Sequence, residues 1–299
     1  MRRKILYFIN PVSGPKRKPQ LKDYLVKRSL ELEIPYDIYY TNATGEYPDL
    51  PDKIQREDIT DVVICGGDGT INQIASYLID TEVHVGIIPM GSGNGLALAA
   101  KIPRKIEKAF DLIVNGTPTF IDGFFINEKF GCMLCGIGFD AKVAHDFALQ
   151  PKRGLRTYIQ QSVKNFFKAE PYSFDITNAG VTFSSEAYFI SIANSNQFGN
   201  NFTIAPKANL QDGLLDIIVV KKMSKIKMIW TILKQIYLGE VGTQEDKNFH
   251  KKDILYLQTD NLIIHNHELA PLHIDGDPAE TDKIFKIEVL PKAFKLIMP

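Results

Sequence analysis

Residues 61–70, Asp-Val-Val-Ile-Cys-Gly-Gly-Asp-Gly-Thr, constrain the fold of this chain more than any other ten positions. The apolar run Val62–Cys65 reads as a strand and ends abruptly in Gly66, Gly67, Asp68, Gly69 and Thr70. A helical pattern starts at once, with Ile71, Ile74, Ala75, Leu78 and Ile79 on one face. A strand, a glycine turn and a helix N-terminus present free backbone N–H groups and the positive end of a helix dipole, which suits a phosphate. Asp68 would repel a bare phosphate. It makes more sense beside a magnesium-bound nucleotide, reaching the cation through water. The plainer reading is a tight turn in an α/β protein, with Asp68 or Thr70 capping the helix.

A second loop of the same kind shifts the balance. Pro89-Met90-Gly91-Ser92-Gly93-Asn94-Gly95 follows the strand-like Val83–Ile88 and precedes the helix start Leu96–Ala100. Two such turns at one edge of a parallel sheet would face one crevice. Neither loop is a Walker A sequence, which ends Gly-Lys-Ser/Thr, and neither is the G-x-G-x-x-G dinucleotide fingerprint.

The chain has 299 residues, enough for about two domains. Its 35 basic and 35 acidic residues cancel, so no global field draws it to nucleic acid or to an anionic membrane. Three cysteines, Cys65, Cys132 and Cys135, suit a reducing compartment. Cys132-x-x-Cys135 could be redox-active or half a zinc site, but with no second pair and strand-like flanks an inert buried pair is the stronger reading. The basic N-terminus carries an apolar run too short for a signal peptide. No stretch approaches the ~18 apolar residues of a membrane span. These features predict a cytoplasmic, soluble protein.

Up to about residue 120 strand and helix patterns alternate: Ile5–Ile9, a helix near 20–32, Tyr36–Tyr40, Val62–Cys65, a helix at 71–80, Val85–Ile88 and a helix at 104–114. That predicts an α/β domain with a mainly parallel sheet. Beyond it, short β-rich runs dominate, at Phe130–Leu134, Tyr172–Thr177, Glu186–Ala193, Leu214–Val220, Leu262–His265 and Phe285–Leu290. They predict an antiparallel sandwich or barrel, with the boundary near Asp122-Gly123. Two basic amphipathic helices interrupt this region. One lies at 152–168, with Leu155, Ile159, Val163 and Phe166 on a face; the other lies at 224–238, with Ile226, Ile229, Trp230 and Leu233. Such helices can lie on a membrane, but packing of the stripe into the protein's own core is favoured. His265, His267 and His273 include a His-x-His pair that would share one strand face, a metal pair only if a further ligand joins it.

The full set of motifs resembles the diacylglycerol kinase catalytic family, whose relatives include bacterial lipid kinases, sphingosine kinases and ceramide kinases. Phe8-Ile9-Asn10-Pro11-Val12-Ser13-Gly14 resembles its opening nucleotide loop, Gly66–Thr70 its signature loop and Gly91–Leu96 its second glycine loop. Asp122-Gly123 with Gly136–Ala141 is similar to its domain junction. Ala205-Pro206 with Asp212–Asp216 is similar to its structural-magnesium segment, and Asp275-Gly276-Asp277 to its C-terminal Asp-Gly-Glu. The resemblance implies an α/β nucleotide-binding domain over 1–122 and a C-terminal antiparallel β-sandwich domain for lipid over 123–282. Residues 283–299 would return to the first domain, and the active site would lie in the interdomain cleft. It implies an ATP-dependent lipid kinase that phosphorylates a diacylglycerol- or sphingoid-type hydroxyl, peripherally membrane-associated in the cytoplasm. Exposed edge strands could pair a second copy as a homodimer.

Phosphoryl transfer needs a phosphate cradle, magnesium and an acceptor for the hydroxyl's proton. The resemblance assigns ATP to Asn10, Pro11, Ser13, Gly14, Gly66, Gly67, Gly69, Thr70, Gly91, Ser92, Gly93 and Asn94, with Thr41 reaching the base or ribose. Asp68 and Asp122 would organise the catalytic magnesium, and Asp275 would be the general base. Asp212 and the Leu214 carbonyl would hold a structural magnesium, with a third ligand near Asn209; a plain β-turn at Asp212-Gly213 is the other reading. Asn94-Gly95 replaces the Asn-Asp of many bacterial members and is closer to the sphingosine-kinase loop. Asp277, which the resemblance also assigns to the nucleotide site, stands where the family has Glu, a shorter side chain of the same charge. The competing readings are an NAD kinase-like or other soluble-substrate kinase and a non-catalytic lipid-binding protein.

Overall fold

The computed structural model describes residues 3–14, 18–150, 155–197, 205–227 and 253–299. They form two compact units, Met1–Ile121 with Lys292–Pro299, and Asp122–Pro291.

The first unit is a parallel α/β layer structure. Strand β1 (Ile5–Ile9) leads through α1 (Lys18–Glu31) to β2 (Tyr36–Tyr40), and α2 (Leu50–Arg56) leads to β3 (Asp61–Gly66). Helix α3 (Asp68–Ala75) leads to β4 (His84–Pro89), followed by α4 (Gly95–Ala99) and α5 (Ile106–Asn115). The sheet order is β2-β1-β3-β4, all parallel, and the chain's last strand adds to β4 through Lys295 and Leu296. Every residue of β1 and β3 is buried. A parallel sheet with helices on both faces requires such continuous apolar strands, and each buried Ile, Leu or Phe contributes about 1.5–3 kcal/mol. Helix α3 buries Thr70, Ile71, Ile74 and Ala75, and α5 buries Ala109, Phe110 and Ile113, one face of each.

The second unit is an antiparallel β-sandwich. Strand β5 (Thr117–Ile126) runs unbroken through Asp122-Gly123 and pairs with β6 (Lys129–Gly131). Then come β7 (Leu134–Gly138), α6 (Phe139–Ala148), α7 (Leu155–Lys168), β8 (Tyr172–Asn178), β9 (Val181–Ala193) and β10 (Leu215–Lys221). The chain closes with β11 (Ile254–Thr259), β12 (Asn261–Asn266), β13 (Leu272–Ile274), β14 (Asp277–Ala279) and β15 (Ile284–Met298). The long β9 divides its partners: its first half pairs β8, and its second half lies between β7 and β10. Phe124, Ile137, Phe174, Ile190, Ile217 and Phe285 meet in the core.

The predicted single strand Phe130–Leu134 is divided: β6 ends at Gly131 and β7 begins at Leu134. The bend at Cys132-Met133 turns its amides to a side chain described below. Helix α6 escapes the sequence pattern because it is short and rich in small residues. Phe166 of α7 packs edge-on against Phe139 of α6, with ring centroids 6.4 Å apart. The helix predicted at 224–238 lies outside the described residues beyond Lys227. Among the described residues no helix is long and apolar enough to cross a membrane.

Candidate active site

In the first unit Ile9 is level with Cys65, and Cys65 with Ile88, so β1, β3 and β4 end at the same edge. The chain passes from β1 outward to β2, and from β3 outward to β4 on the other side. The order therefore reverses between β1 and β3, and loops leaving at such a reversal diverge and open a crevice at the strands' carboxyl ends. Asn10–Gly14, Gly66–Thr70 and Met90–Gly95 all leave from this edge.

Specific contacts tie the three loops together. Asn10 Nδ2 donates to Thr70 Oγ1 at 2.7 Å, while its Oδ1 accepts the amides of Val12 and Ser13. The Met90 amide donates to the Gly66 carbonyl at 2.8 Å. Gly67 and Gly91 touch backbone to backbone: a Cβ built on Gly91 would lie 2.6 Å from the Gly67 Cα. Only glycine permits that approach. Asn94 adopts a left-handed conformation and closes its own loop, accepting the Gly91 amide and donating to the Gly91 carbonyl. Asp68 Oδ1 accepts the Leu96 amide at 3.3 Å, linking the two glycine loops from the other side. Thr41 follows β2 and donates its amide to the Ile9 carbonyl. Ser92 and Pro11 are exposed, Ser13, Gly67, Asp68, Gly69, Gly91 and Gly93 are half-buried, and Thr70 and Asn94 are buried. Rigid groups thus lie beneath a rim of accessible backbone.

The second unit gathers a different set. Ile274 pairs with Asp277, so Asp275-Gly276 is a two-residue hairpin turn with both residues left-handed, φ 49° and 87°. The Asp275 carboxylate turns inward and is buried. Its Oδ1 accepts the amides of Met133 and Leu134, and its Oδ2 that of Cys132, each at 2.9 Å, with the Cys132 thiol at 3.3 Å. Asn194 Nδ2 donates to the carbonyls of both Asp122 and Cys132. Asp122 Oδ2 accepts the Gly213 amide at 2.8 Å. Asp275, Asp122, Asn194 and the 132–134 and 210–213 segments are therefore one connected network. Asp212 Oδ1 accepts the Leu214 amide, as in an Asx turn. Asn209 likewise accepts the Gln211 amide, and Asp277 is exposed on β14. The network includes Asn194, which sequence reasoning missed, since a lone Asn at a strand end has no periodic or spacing signal.

Among the described residues, no three His, Cys, Asp or Glu side chains converge into a metal cage. Magnesium does not need one: it takes one or two carboxylates, waters and substrate phosphates. Half-buried Asp68 beside the cradle has that donor chemistry. His265 and His267 stack with centroids 6.5 Å apart, and His267 Nε2 meets Asp175 Oδ2 at 2.7 Å. The three cysteines are buried, and burial pushes the thiols of Cys65 and Cys135 up, away from thiolate.

The Diacylglycerol kinase catalytic domain family matches residues 4–126, and the YegS C-terminal NAD kinase beta sandwich-like domain family matches residues 134–298. The chain belongs to the diacylglycerol kinase family. Membership makes it a phosphotransferase of the lipid-kinase class. A diacylglycerol kinase of Bacillus subtilis is 24% identical, over 92% of this chain and 89% of its own. A Yersinia enterocolitica protein named "probable lipid kinase YegS-like" is 29% identical, over 80% of this chain and 78% of its own. The crystal structure of a diacylglycerol kinase from Bacillus anthracis superposes with a TM-score of 0.72 at 21% identity, covering 99% of this chain and 97% of that one. The likeness of that structure establishes the fold: a parallel α/β unit and an antiparallel sandwich.

Proposed function

We propose that the protein transfers the γ-phosphate of ATP to the hydroxyl of a diacylglycerol- or sphingoid-type lipid. The observation that carries this reading is the cradle at the β1/β3 reversal, where Asn10 grips Thr70 and Gly67 lies against Gly91. Amides exposed at such a rim bind phosphate oxygens without a Walker lysine. Asn10, Ser13, Gly14, Gly66–Thr70 and Gly91–Asn94 hold the phosphates, and Thr41 the base or ribose. Asp68 would hold the magnesium that neutralises charge between the β- and γ-phosphates, with Asp122 assisting. Asp275 accepts the proton of the attacking hydroxyl at Oδ2, where the weak Cys132 S–H donor is the easiest to displace. Asp212 and the Leu214 carbonyl would hold a second, structural magnesium. The lipid lies in a bilayer, so the enzyme works as a cytoplasmic protein at a membrane surface; exposed Leu149 and the exposed lysines of α7, Lys164 and Lys168, suit such contact.

A radiolabelled-ATP assay against a panel of extracted lipids tests the reading. Label in a lipid is the expected result. Label in NADP or a sugar phosphate, with none in lipid, overturns it in favour of a soluble acceptor. Lipid binding without turnover overturns it in favour of a non-catalytic protein.

A further inference from the structure

His273 is fully buried on β13, where its cross-strand partner on β7 is Gly136. Its Nδ1 accepts the Gly276 amide at 3.3 Å. An imidazole that accepts at Nδ1 carries its proton on Nε2. That nitrogen lies 3.5 Å from Asp140 Oδ2, in the first turn of α6, an approach at the edge of hydrogen-bonding distance. The other oxygen of Asp140 accepts the Ala141 amide at 2.8 Å, so the carboxylate is held from its own helix. The space in which the two side chains meet exists because residue 136 has no side chain. A Cβ there would lie 2.0 Å from Asp140 Oδ2 and 2.5 Å from His273 Nε2.

We infer that Asp140 and His273 form a positioning pair that sets the Asp275-Gly276 turn and so aims the Asp275 carboxylate. The inference rests on the reading of Asp275 as the proton acceptor of the proposed kinase. The chain of contact runs from the α6 carboxylate to the imidazole, from the imidazole to the Gly276 amide, and from there to the adjacent residue. Asp-Gly is itself a favoured sequence for this left-handed turn, so the imidazole does not create the turn but fixes its Gly276 amide in one orientation. Neither member of the pair touches substrate. Each acts through the turn, and the Gly136 clearance makes the device three residues wide.

The test compares His273→Leu, His273→Asn, Asp140→Ala and Gly136→Ala in the full-length protein, each first checked for folding by thermal melting. His273→Leu removes the acceptor of the Gly276 amide, whereas His273→Asn places an oxygen near the Nδ1 position. If the pair positions Asp275, His273→Leu lowers kcat at least tenfold, about what a small misplacement of a reacting group costs, with KM for ATP within about twofold. His273→Asn recovers several-fold of that loss although leucine is the better buried side chain, and Asp140→Ala with His273→Leu is no worse than His273→Leu alone. Gly136→Ala matches the single variants. A folded His273→Leu protein with kcat within twofold of the parent overturns the inference, as does His273→Asn performing no better than His273→Leu. Nitrogen-15 spectra of the imidazole give a readout independent of turnover: Nδ1 unprotonated is expected, and Nδ1 protonated overturns the pair. Faster hydrogen exchange of the Gly276 amide in His273→Leu is likewise expected, and unchanged exchange counts against it. A parent protein that phosphorylates no lipid sinks the proposed function alone, since the spectra and the exchange rate still decide the pair.

Discussion

Asn10 donates from Nδ2 to Thr70 Oγ1 at 2.7 Å, joining two loops that are 60 residues apart in the chain. The same Asn10 accepts the Val12 and Ser13 amides through Oδ1, so one side chain shapes its own loop and fastens it to the start of α3. Asn10→Ala removes all three bonds. A lost hydrogen bond of this kind costs about 1–2 kcal/mol, so the Kd for ATP should rise roughly 5–30-fold. Thr70→Val, which removes only the shared bond, should do less, and the double variant should be little worse than Asn10→Ala alone. Isothermal titration of ATP into the three variants measures this; fully additive losses would mean that the two side chains act separately.

The Gly67–Gly91 contact makes a steric prediction. A methyl group on Gly91 would lie 2.6 Å from the Gly67 Cα, and one on Gly67 would lie 3.0 Å from the Gly91 Cα. The opposing atom is backbone in both cases and cannot swing away. Gly91→Ala should separate the loops, cost about 1–3 kcal/mol of stability as overpacking does, and weaken ATP binding at least tenfold. Gly67→Ala should be milder, given the longer distance. Equal melting temperatures and nucleotide affinities for parent and Gly91→Ala would mean that the close approach plays no part in binding.

Asp68 is tied to the other glycine loop as well as offered to magnesium, since its Oδ1 accepts the Leu96 amide. Asp68→Ala should therefore lose magnesium-dependent ATP affinity by tenfold or more, while Asp68→Asn keeps the amide contact and loses only the charge. Titrations with and without magnesium separate the two effects. An affinity for ATP that is the same in Asp68→Ala at all magnesium concentrations would remove Asp68 from the metal's environment.

The central parallel strand Ile5–Ile9 was legible because burial on both faces demands an unbroken apolar run, and the half-exposed edge strand Tyr36–Tyr40 through its aromatic and β-branched residues; both are read from sequence with the bounds the structure gives them. The glycine loops were legible for a related reason, since Gly66–Thr70 and Gly91–Gly95 interrupt such runs. Tertiary hydrogen bonds left no comparable trace. The bend that splits Phe130–Leu134 exists because the amides of 132–134 turn to Asp275, more than 140 residues away, and local propensity sees only a strand. Asn194 is silent in the same way. His273 was visible as a histidine near an aspartate, but its partner Asp140 is set by the register that puts Gly136 opposite it.

Asp275→Asn removes the charge, and it also puts an NH2 group among the N–H donors of Cys132, Met133 and Leu134. Only one oxygen remains to accept, so at least one buried amide loses its partner. The expected cost is about 1–3 kcal/mol of stability, seen as a lower denaturation midpoint, alongside loss of lipid phosphorylation. ATP binding should persist, because the cradle residues Asn10, Thr70, Gly67 and Gly91 are bonded independently of residue 275. A variant as stable as the parent would show that the three amides find other acceptors, and near-normal kcat would exclude Asp275 as the base.

Asp216 supplies a prediction about pH. It is fully buried on β10, accepting from the hydroxyl of Tyr256 and from Gln258 at 3.4 Å. Burial pushes its carboxyl above the usual range, an effect that the Tyr256 and Gln258 bonds only partly offset; burial likewise pushes the Tyr256 phenol up. A carboxyl raised in the folded state costs stability when charged. That cost is absent below the unfolded value of about 3.9 and develops as pH rises through the folded value. Asp216→Asn keeps the acceptor for Tyr256 without the charge. Its stability relative to the parent should therefore be most favourable at pH 7–8 and should decline on acidification through the raised carboxyl value. Urea denaturation of both proteins across this range, in EDTA so that no divalent ion at Asp212 contributes, measures the difference. A difference that stays constant with pH, or grows on acidification, would mean that Asp216 carries its charge at no cost in the folded protein.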